Sequence, residues 1–502
     1  MKKEIKIVLL NFILLIGILF ISSCGSERSP ITGWEYNNPD NGGFEVAPYD
    51  EQETGPNLVL IEGGTFTMGR VEQEVNYEWD NIPRRITVSS FYIDETEIAN
   101  INYLEYLYWL HRVYDAEYPE IFKKALPDTL VWRDKLAFNE PYVELYLRHP
   151  AYMDYPVVGV SWLQANDFCS WRTDRVNEQI LIREGILRVN PNQSGADNFN
   201  TDAYFAGQYE GLVKDDIDDM NPANKGGKRK VKMEDGILLP RYLLPTEAQW
   251  EYAASGLIGN TVFERITDRR IYPWNGHMVR NSEEAYKGDM MANFKRGRGD
   301  NMGTAGYLND NADITAPVHS YWPNDFGLYN MAGNVCEWVM DVYRPLTNED
   351  KSDFNSFRGS LFKTQKRDAT GVIDEKDSLG HVAWRNVTEQ ENVDRRNYRS
   401  ADNINFLDGD AASSVTYKSY THFDGSETSY KEDQTKSDAY YSMVDDRARV
   451  YKGGSWKDRA YWMSQGTRRF LDERQSTCYI GFRCAMARVG SPVGLGGGKK
   501  RQ

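Results

Sequence analysis

Residues 327–338 read Gly-Leu-Tyr-Asn-Met-Ala-Gly-Asn-Val-Cys-Glu-Trp. Asn330 and Glu337 stand seven positions apart around Gly333. An amide oxygen, a carboxylate and carbonyls freed at a glycine bend are the donors a hard cation such as Ca²⁺ takes. The alternative is a glycine-rich turn carrying a solvated carboxylate. Other chemistry is poorly served. His111, His149, His277, His319, His381 and His422 form no His-x-x-x-His or His-x-His pair, and read as surface or packing residues. No Gly-x-Ser-x-Gly elbow or phosphate-binding Walker loop occurs.

The elements that must position these groups are partly legible. Pro245-Thr-Glu-Ala-Gln-Trp-Glu-Tyr opens a helix, with Thr246 as N-cap and Gln249 three residues on, a capping-box pattern. Trp250, Ala253 and Ala254 are expected to face inward. Trp162-Leu-Gln-Ala-Asn-Asp-Phe-Cys-Ser-Trp171 is also helix-like. Two polar stretches, about 175–238 and 345–447, read as insertions. Structureless loops of that length are usually functional or disordered. The acidic run Asp215–Asp219 and the basic run Lys225–Lys232 read as self-complementary solvated charge. The acidic run lacks the glycine and glutamate spacing of an EF-hand.

Lys2, Lys3 and Lys6 precede an apolar run from Ile7 to Ile21 that ends at Ser22-Ser23-Cys24-Gly25. The run is shorter than the ~20 residues a spanning helix needs. It reads as a lipoprotein signal peptide, 1–23, cleaved before an acylated Cys24. Acyl chains anchor a protein without spanning the bilayer. Residues 24–56 are expected to be a flexible tether, 57–488 one large domain with the two insertions, and 489–502 a flexible basic tail. The net charge of −15 lacks the basic footprint of a nucleic-acid binder. It also leaves membrane attachment to the anchor. The 32 tyrosines and 13 tryptophans are expected mostly to brace loops against the core.

Several short motifs occur in one order. They are Ile61–Gly69, Arg85–Asn100, Val160-Ser-Trp162, Leu244–Ala254, Tyr272-Pro-Trp-Asn275, Gly327–Trp338, Val450–Trp456 and Ile480-Gly-Phe-Arg-Cys484. Together they closely resemble the formylglycine-generating-enzyme, or sulfatase-modifying factor, family. The resemblance implies an irregular α+β fold, distantly like C-type lectins, with little regular secondary structure and with structural calcium. It places one calcium site at Asn330 and Glu337 by side chain, with Gly333 and Val335 by carbonyl. A second would use Asn293 and Asp310 by side chain, with Phe294 and Ala312 by carbonyl. Asp313 is an extra or alternative ligand there. The resemblance also implies a Cys169–Cys484 disulfide. Cys336 and Cys478 both flank the family's substrate groove and are candidates for a second bridge.

The family's oxidase chemistry depends on two cysteines after Gly-Gly-Ser that bind copper, a soft-ligand task for thiolates. Here those positions carry Asp458 and Met463, and only Ser455 survives. The expectation is therefore no enzyme, no copper and a binding or assembly role. The lipobox, tether, cysteine-less motif and insertions resemble the gliding-motility lipoproteins of the Bacteroidota. Those are associated with type IX secretion at the periplasmic side of the outer membrane. The implied partners are other envelope proteins of that apparatus, contacted through the insertions, with no nucleic acid. Two other readings are an enzyme with altered chemistry at Asp458 and a glycan-binding module with calcium-braced loops.

Overall fold

The computed structural model describes residues 28–47, 51–70, 80–256, 270–274, 277–297, 310, 312–344, 354–359, 363–388, 390–391 and 447–490. Cys24, Asn311 and most of 345–447, including Phe406-Leu407, lie outside them, as does the tail beyond Gly490. The chain divides into two compact units.

The larger unit comprises 52–179, 190–211 and 239–502. It is built on two small sheets. In the first, Leu58–Ile61 pairs antiparallel with Phe91–Asp94, which pairs with Ala485–Ala487, itself paired with Tyr242–Leu243. Every residue of Phe91–Asp94 is buried, as expected of a central strand covered on both faces. In the second sheet, Ala448–Lys452 runs antiparallel to both Arg469–Asp472 and Cys336–Val342, and Ile480–Gly481 adds to Cys336–Val342 in parallel. The Gly64–Met68 and Arg84–Val88 strands form a hairpin-like pair. Ile61, Phe66, Ile86, Trp250, Val339 and Val450 belong to one buried apolar cluster.

The helix predicted from Thr246 is present at Glu247–Ser255. The Thr246 hydroxyl accepts from Gln249 N–H, and the Gln249 side chain accepts from Thr246 N–H. Trp250, Ala253 and Ala254 are fully buried. The second helix runs longer than its motif, from Trp162 to Arg183. It packs on the Asn100–Tyr114 helix through aromatic contacts, with Tyr103 stacked on Phe168 at 5.8 Å and Tyr106 beside Trp171 at 5.2 Å. Here the rings pack one helix against another, where the sequence suggested that they brace loops. Irregular segments dominate both units, in keeping with an irregular α+β fold.

The smaller unit comprises 1–51, 180–189 and 212–238. Residues 28–47, expected to be flexible tether, instead form tight turns tied to the first insertion. Glu45 accepts from Arg229 and from Met220 N–H, and Arg229 also pairs with Asp235 at 2.7 Å. Gly43 allows this approach, because a Cβ there would sit 1.9 Å from Met220 O. The acidic and basic runs do pair, Lys228 reaching Asp218 at 2.7 Å. The first insertion is thus not one loop: residues 190–211 belong to the larger unit. From the second, the Lys363–Gln365 and Trp384–Asn386 strands pair antiparallel.

Candidate functional site

The parallel pairing of Ile480 with Cys336 and of Gly481 with Glu337 fixes the centre of the larger unit. Gly481 has no room for a side chain, since a Cβ would lie 2.7 Å from Val157 O. Two residues on, Arg483 turns fully into the interior. Its Nε and Nη2 grip the Glu337 carboxylate at 2.7 and 2.6 Å, and Trp250 Nε1 adds a third bond at 2.7 Å. Nη1 donates to Asp94 O at 3.0 Å and Nη2 to Tyr329 O at 2.8 Å. A planar bidentate fork of this kind is the strong form of an ion pair.

Asn330 and Asn334 bracket the glycine bend in left-handed backbone, with φ of 53° and 60°. Between them, Gly333 has φ of 80°, and a Cβ there would meet Asn293 O at 2.5 Å. This conformation sends both amide nitrogens to Glu97, each at 3.0 Å. Glu97 is fully buried. Burial, with Glu337 nearby, pushes its carboxyl up to about 8 from 4.5, against the pull of Arg483. The folded state therefore keeps a proton that the unfolded chain has released. That stabilisation is complete below about pH 4.5 and is lost as pH rises to about 8. In calcium-free protein, stability should fall across this window by up to ~1.4 kcal/mol per pH unit. Glu97→Gln should flatten the slope. It should also lower stability, because its new NH₂ must face an asparagine NH₂. Denaturant titrations at pH 5, 6, 7 and 8 check this, and an unaltered slope in the variant would refute it.

The two calcium sets fare differently. At the first, the charge of Glu337 is met by Arg483, and Asn330 turns its NH₂ toward Glu97 and Val318 O. These residues, as arranged, do not fit a cation held by Glu337. The charge the ion would bring is supplied by a guanidinium. The second set is gathered in one loop cluster. Asp310 Oδ2 accepts from Phe294 N–H at 3.1 Å, and Oδ1 from Ala312 N–H at 3.4 Å. Asn293 donates to Ile314 O, and Tyr321 donates to Asp310 O. Asp310 and Asn293 carry the oxygens a calcium ion would use here. Asp313 stands apart, accepting from the Tyr142 hydroxyl at 3.4 Å. If calcium is held here, chelator should lower the melting midpoint of the wild type and leave Asp310→Asn unmoved. Equal midpoints for the wild type with and without chelator would count against it.

The Gly453-Gly-Ser loop leads to a second cluster. Ser455 Oγ donates to Asp458 Oδ2 at 2.6 Å. Arg469 grips the same carboxylate through both Nη atoms at 2.7 Å, and its Nη2 lies 2.9 Å from Cys336 Sγ. The Arg469 guanidinium also lies over the rings of Tyr451 and Trp462. Met463 is fully buried beside Met290, Phe294 and Ala332. The copper chemistry described above needs two thiolates. The residues that the resemblance aligns with them are a carboxylate paired with Arg469 and a core thioether, and as arranged these two do not fit copper. Cys336 is the one thiol in the cluster, and burial pushes its pKa up. Sequence reasoning missed Arg469 and offered Cys478, not Asp458 and Arg469, as the partner of Cys336. Nothing in the Thr467–Phe470 run separates Arg469 from its neighbour Arg468.

Beneath the loop, Lys452 Nζ lies 3.3 Å from Glu247 and 3.1 Å from Glu251, and Arg468 reaches Glu247 at 2.8 Å. Glu251 also accepts from Gly69 N–H at 2.6 Å. These four buried charges tie the capped helix to the strand that precedes the glycines. The cysteines separate into distinct settings. Cys169 and Cys484 place their sulfurs 3.2 Å apart in the core. Cys336 faces Asp458 and Arg469, whereas Cys478 faces Lys457.

The family model described as the sulfatase-modifying factor enzyme 1-like domain matches residues 43–395. Formylglycine-generating enzyme of Mus musculus is 24% identical over 302 residues, covering 57% of this chain and 58% of that protein. Inactive C-alpha-formylglycine-generating enzyme 2 of Bos taurus is 24% identical over 307 residues, covering 57% and 71%. Among solved structures, Treponema denticola variable protein 1 aligns over 88% of this chain and 99% of its own, at 16% identity and a TM-score of 0.37.

Proposed function

This chain belongs to the sulfatase-modifying factor enzyme 1-like family, and we propose that it is a non-catalytic, membrane-anchored member that binds protein partners. One observation carries the non-catalytic reading. Asp458 stands where the family's first copper thiolate would be, and it is held at both oxygens by Arg469. A carboxylate locked this way is a poor acid or base and a poor copper ligand. That also argues against altered chemistry at Asp458. The similarity to mammalian proteins spans both a formylglycine-generating enzyme and a relative described as inactive, so kinship alone favours neither.

The assembly role rests on the N-terminal lipobox and on the resemblance to the gliding-motility lipoproteins GldJ and GldK. In this reading the protein is an outer-membrane lipoprotein facing the periplasm. It acts as a scaffold for gliding and type IX secretion proteins, with a GldK-like lipoprotein and ring or core components as partners. Two measurements test it. Purified protein supplied with copper and oxygen should leave a cysteine-containing sulfatase peptide unchanged by mass; a formylglycine product would overturn the reading. Affinity purification from native membranes should recover envelope proteins in fixed stoichiometry.

A further inference from the structure

In the smaller unit, residues 28–47 hold apolar side chains in water on a stiff frame. Trp34 O accepts from Ser29 N–H at 2.8 Å, Gly33 N–H donates to Ser29 O at 2.9 Å, and Arg28 pairs with Glu35 at 2.7 Å. This closes a tight turn with Ile31 at its tip, 90% exposed. A second closure, Asn37 N–H to Phe44 O at 2.9 Å with Asn37 also bonded both ways to Val46, presents Phe44. Trp34 is 58% exposed and Phe44 67%. The indole lies over Gly42, where a Cβ would come within 3.4 Å of the ring. Ordered apolar residues of this size, left in solvent at neighbouring turns, mark an interaction surface.

We propose that this turn pair seats in the headgroup–acyl boundary of the bilayer, with Ile31, Trp34 and Phe44 as the inserted side chains. The inference rests on the lipid-anchored reading of Cys24. Four Cα steps separate Cys24 from Arg28, so a fully extended link reaches at most ~14 Å. An acylated Cys24 sits at the interface, and so the turn that starts at Arg28 is confined to the membrane surface. Trp and Tyr favour that depth, where an apolar ring and a polar edge are both satisfied. The charge of the chain does not oppose it locally. Glu35 is paired with Arg28, Asp40 with Lys225 and Glu45 with Arg229. The surface therefore meets zwitterionic headgroups with its carboxylates already neutralised.

The test uses the full lipidated chain in phosphatidylethanolamine–phosphatidylcholine vesicles. The four described cysteines are all buried, so Ile31→Cys and Phe44→Cys can be labelled selectively with an environment-sensitive fluorophore. Both labels should shift to the blue and be quenched by lipids spin-labelled near the headgroup. The triple variant Ile31→Ser, Trp34→Ser, Phe44→Ser should transfer between vesicles about tenfold faster, since each loses apolar partition energy. Mass spectrometry of Cys24 separates two failures. Acyl chains present with labels still in water would overturn this proposal alone. No acyl chains on Cys24 would overturn it together with the anchored reading.

Discussion

Arg483→Met should cost the protein about 3–5 kcal/mol, the penalty typical of removing one partner from a buried ion pair. Arg483 and Glu337 are both fully buried, and the guanidinium makes two bonds to the carboxylate at 2.7 and 2.6 Å. Methionine fills much of the volume but leaves Glu337 with Trp250 Nε1 as its remaining side-chain donor. It also abandons the carbonyls of Asp94, at the end of the Phe91–Asp94 strand, and of Tyr329, in the glycine-rich segment before Cys336. Glu97 loses the one positive charge that favours its ionised form. The measurement is the denaturant midpoint at fixed pH and calcium. A loss below about 1 kcal/mol would mean that water or a cation takes over the role of Arg483. The double variant Glu337→Met, Arg483→Met keeps the idea testable if the single variant is insoluble. It should recover more than half of the loss, because apolar replacement of a whole buried pair is often neutral.

A bond between Cys169 and Cys484 should form in an oxidising compartment and contribute up to about 6 kcal/mol by the loop-entropy model. The two residues are 315 positions apart, and their sulfurs already face each other in the core. Cys169 lies on the Trp162–Arg183 helix, and Cys484 immediately precedes the Ala485–Ala487 strand. The bond would therefore staple the helix to the first sheet. Nearby, Cys484 N–H donates to Asp94 Oδ2 at 2.8 Å, while Arg172 grips Asp94 at 2.8 Å. The surroundings are thus fixed whether or not the bond forms. Non-reducing peptide mapping of protein from the envelope should find the Cys169–Cys484 peptide, with Cys336 and Cys478 as thiols. Cys169→Ser should lower the midpoint of the oxidised protein and leave that of the reduced protein nearly unchanged. Free Cys169 and Cys484 in envelope-derived protein would refute it.

The sequence by itself determined what local chemistry and motif order can carry. The capping box at Thr246, the inward face of Trp250, Ala253 and Ala254, and the irregular α+β family fold all follow from patterns a few residues long. Such patterns depend on backbone periodicity and turn stereochemistry, which are written within one or two turns of chain.

What the tertiary structure decided were the partners. Glu337 read as a calcium ligand because its neighbours in sequence offered oxygens. It meets Arg483 because a parallel strand carries residue 481 alongside it. One alternative reading gave Asp458 altered chemistry, but it is locked by Arg469, 11 positions on, and by Ser455 within its own loop. Residues 28–47 read as tether from their composition, yet Glu45 finds Arg229, 184 positions away. An ion pair is chosen by burial and by which side chains the sheets bring within about 3 Å, and neither is encoded by spacing along the chain.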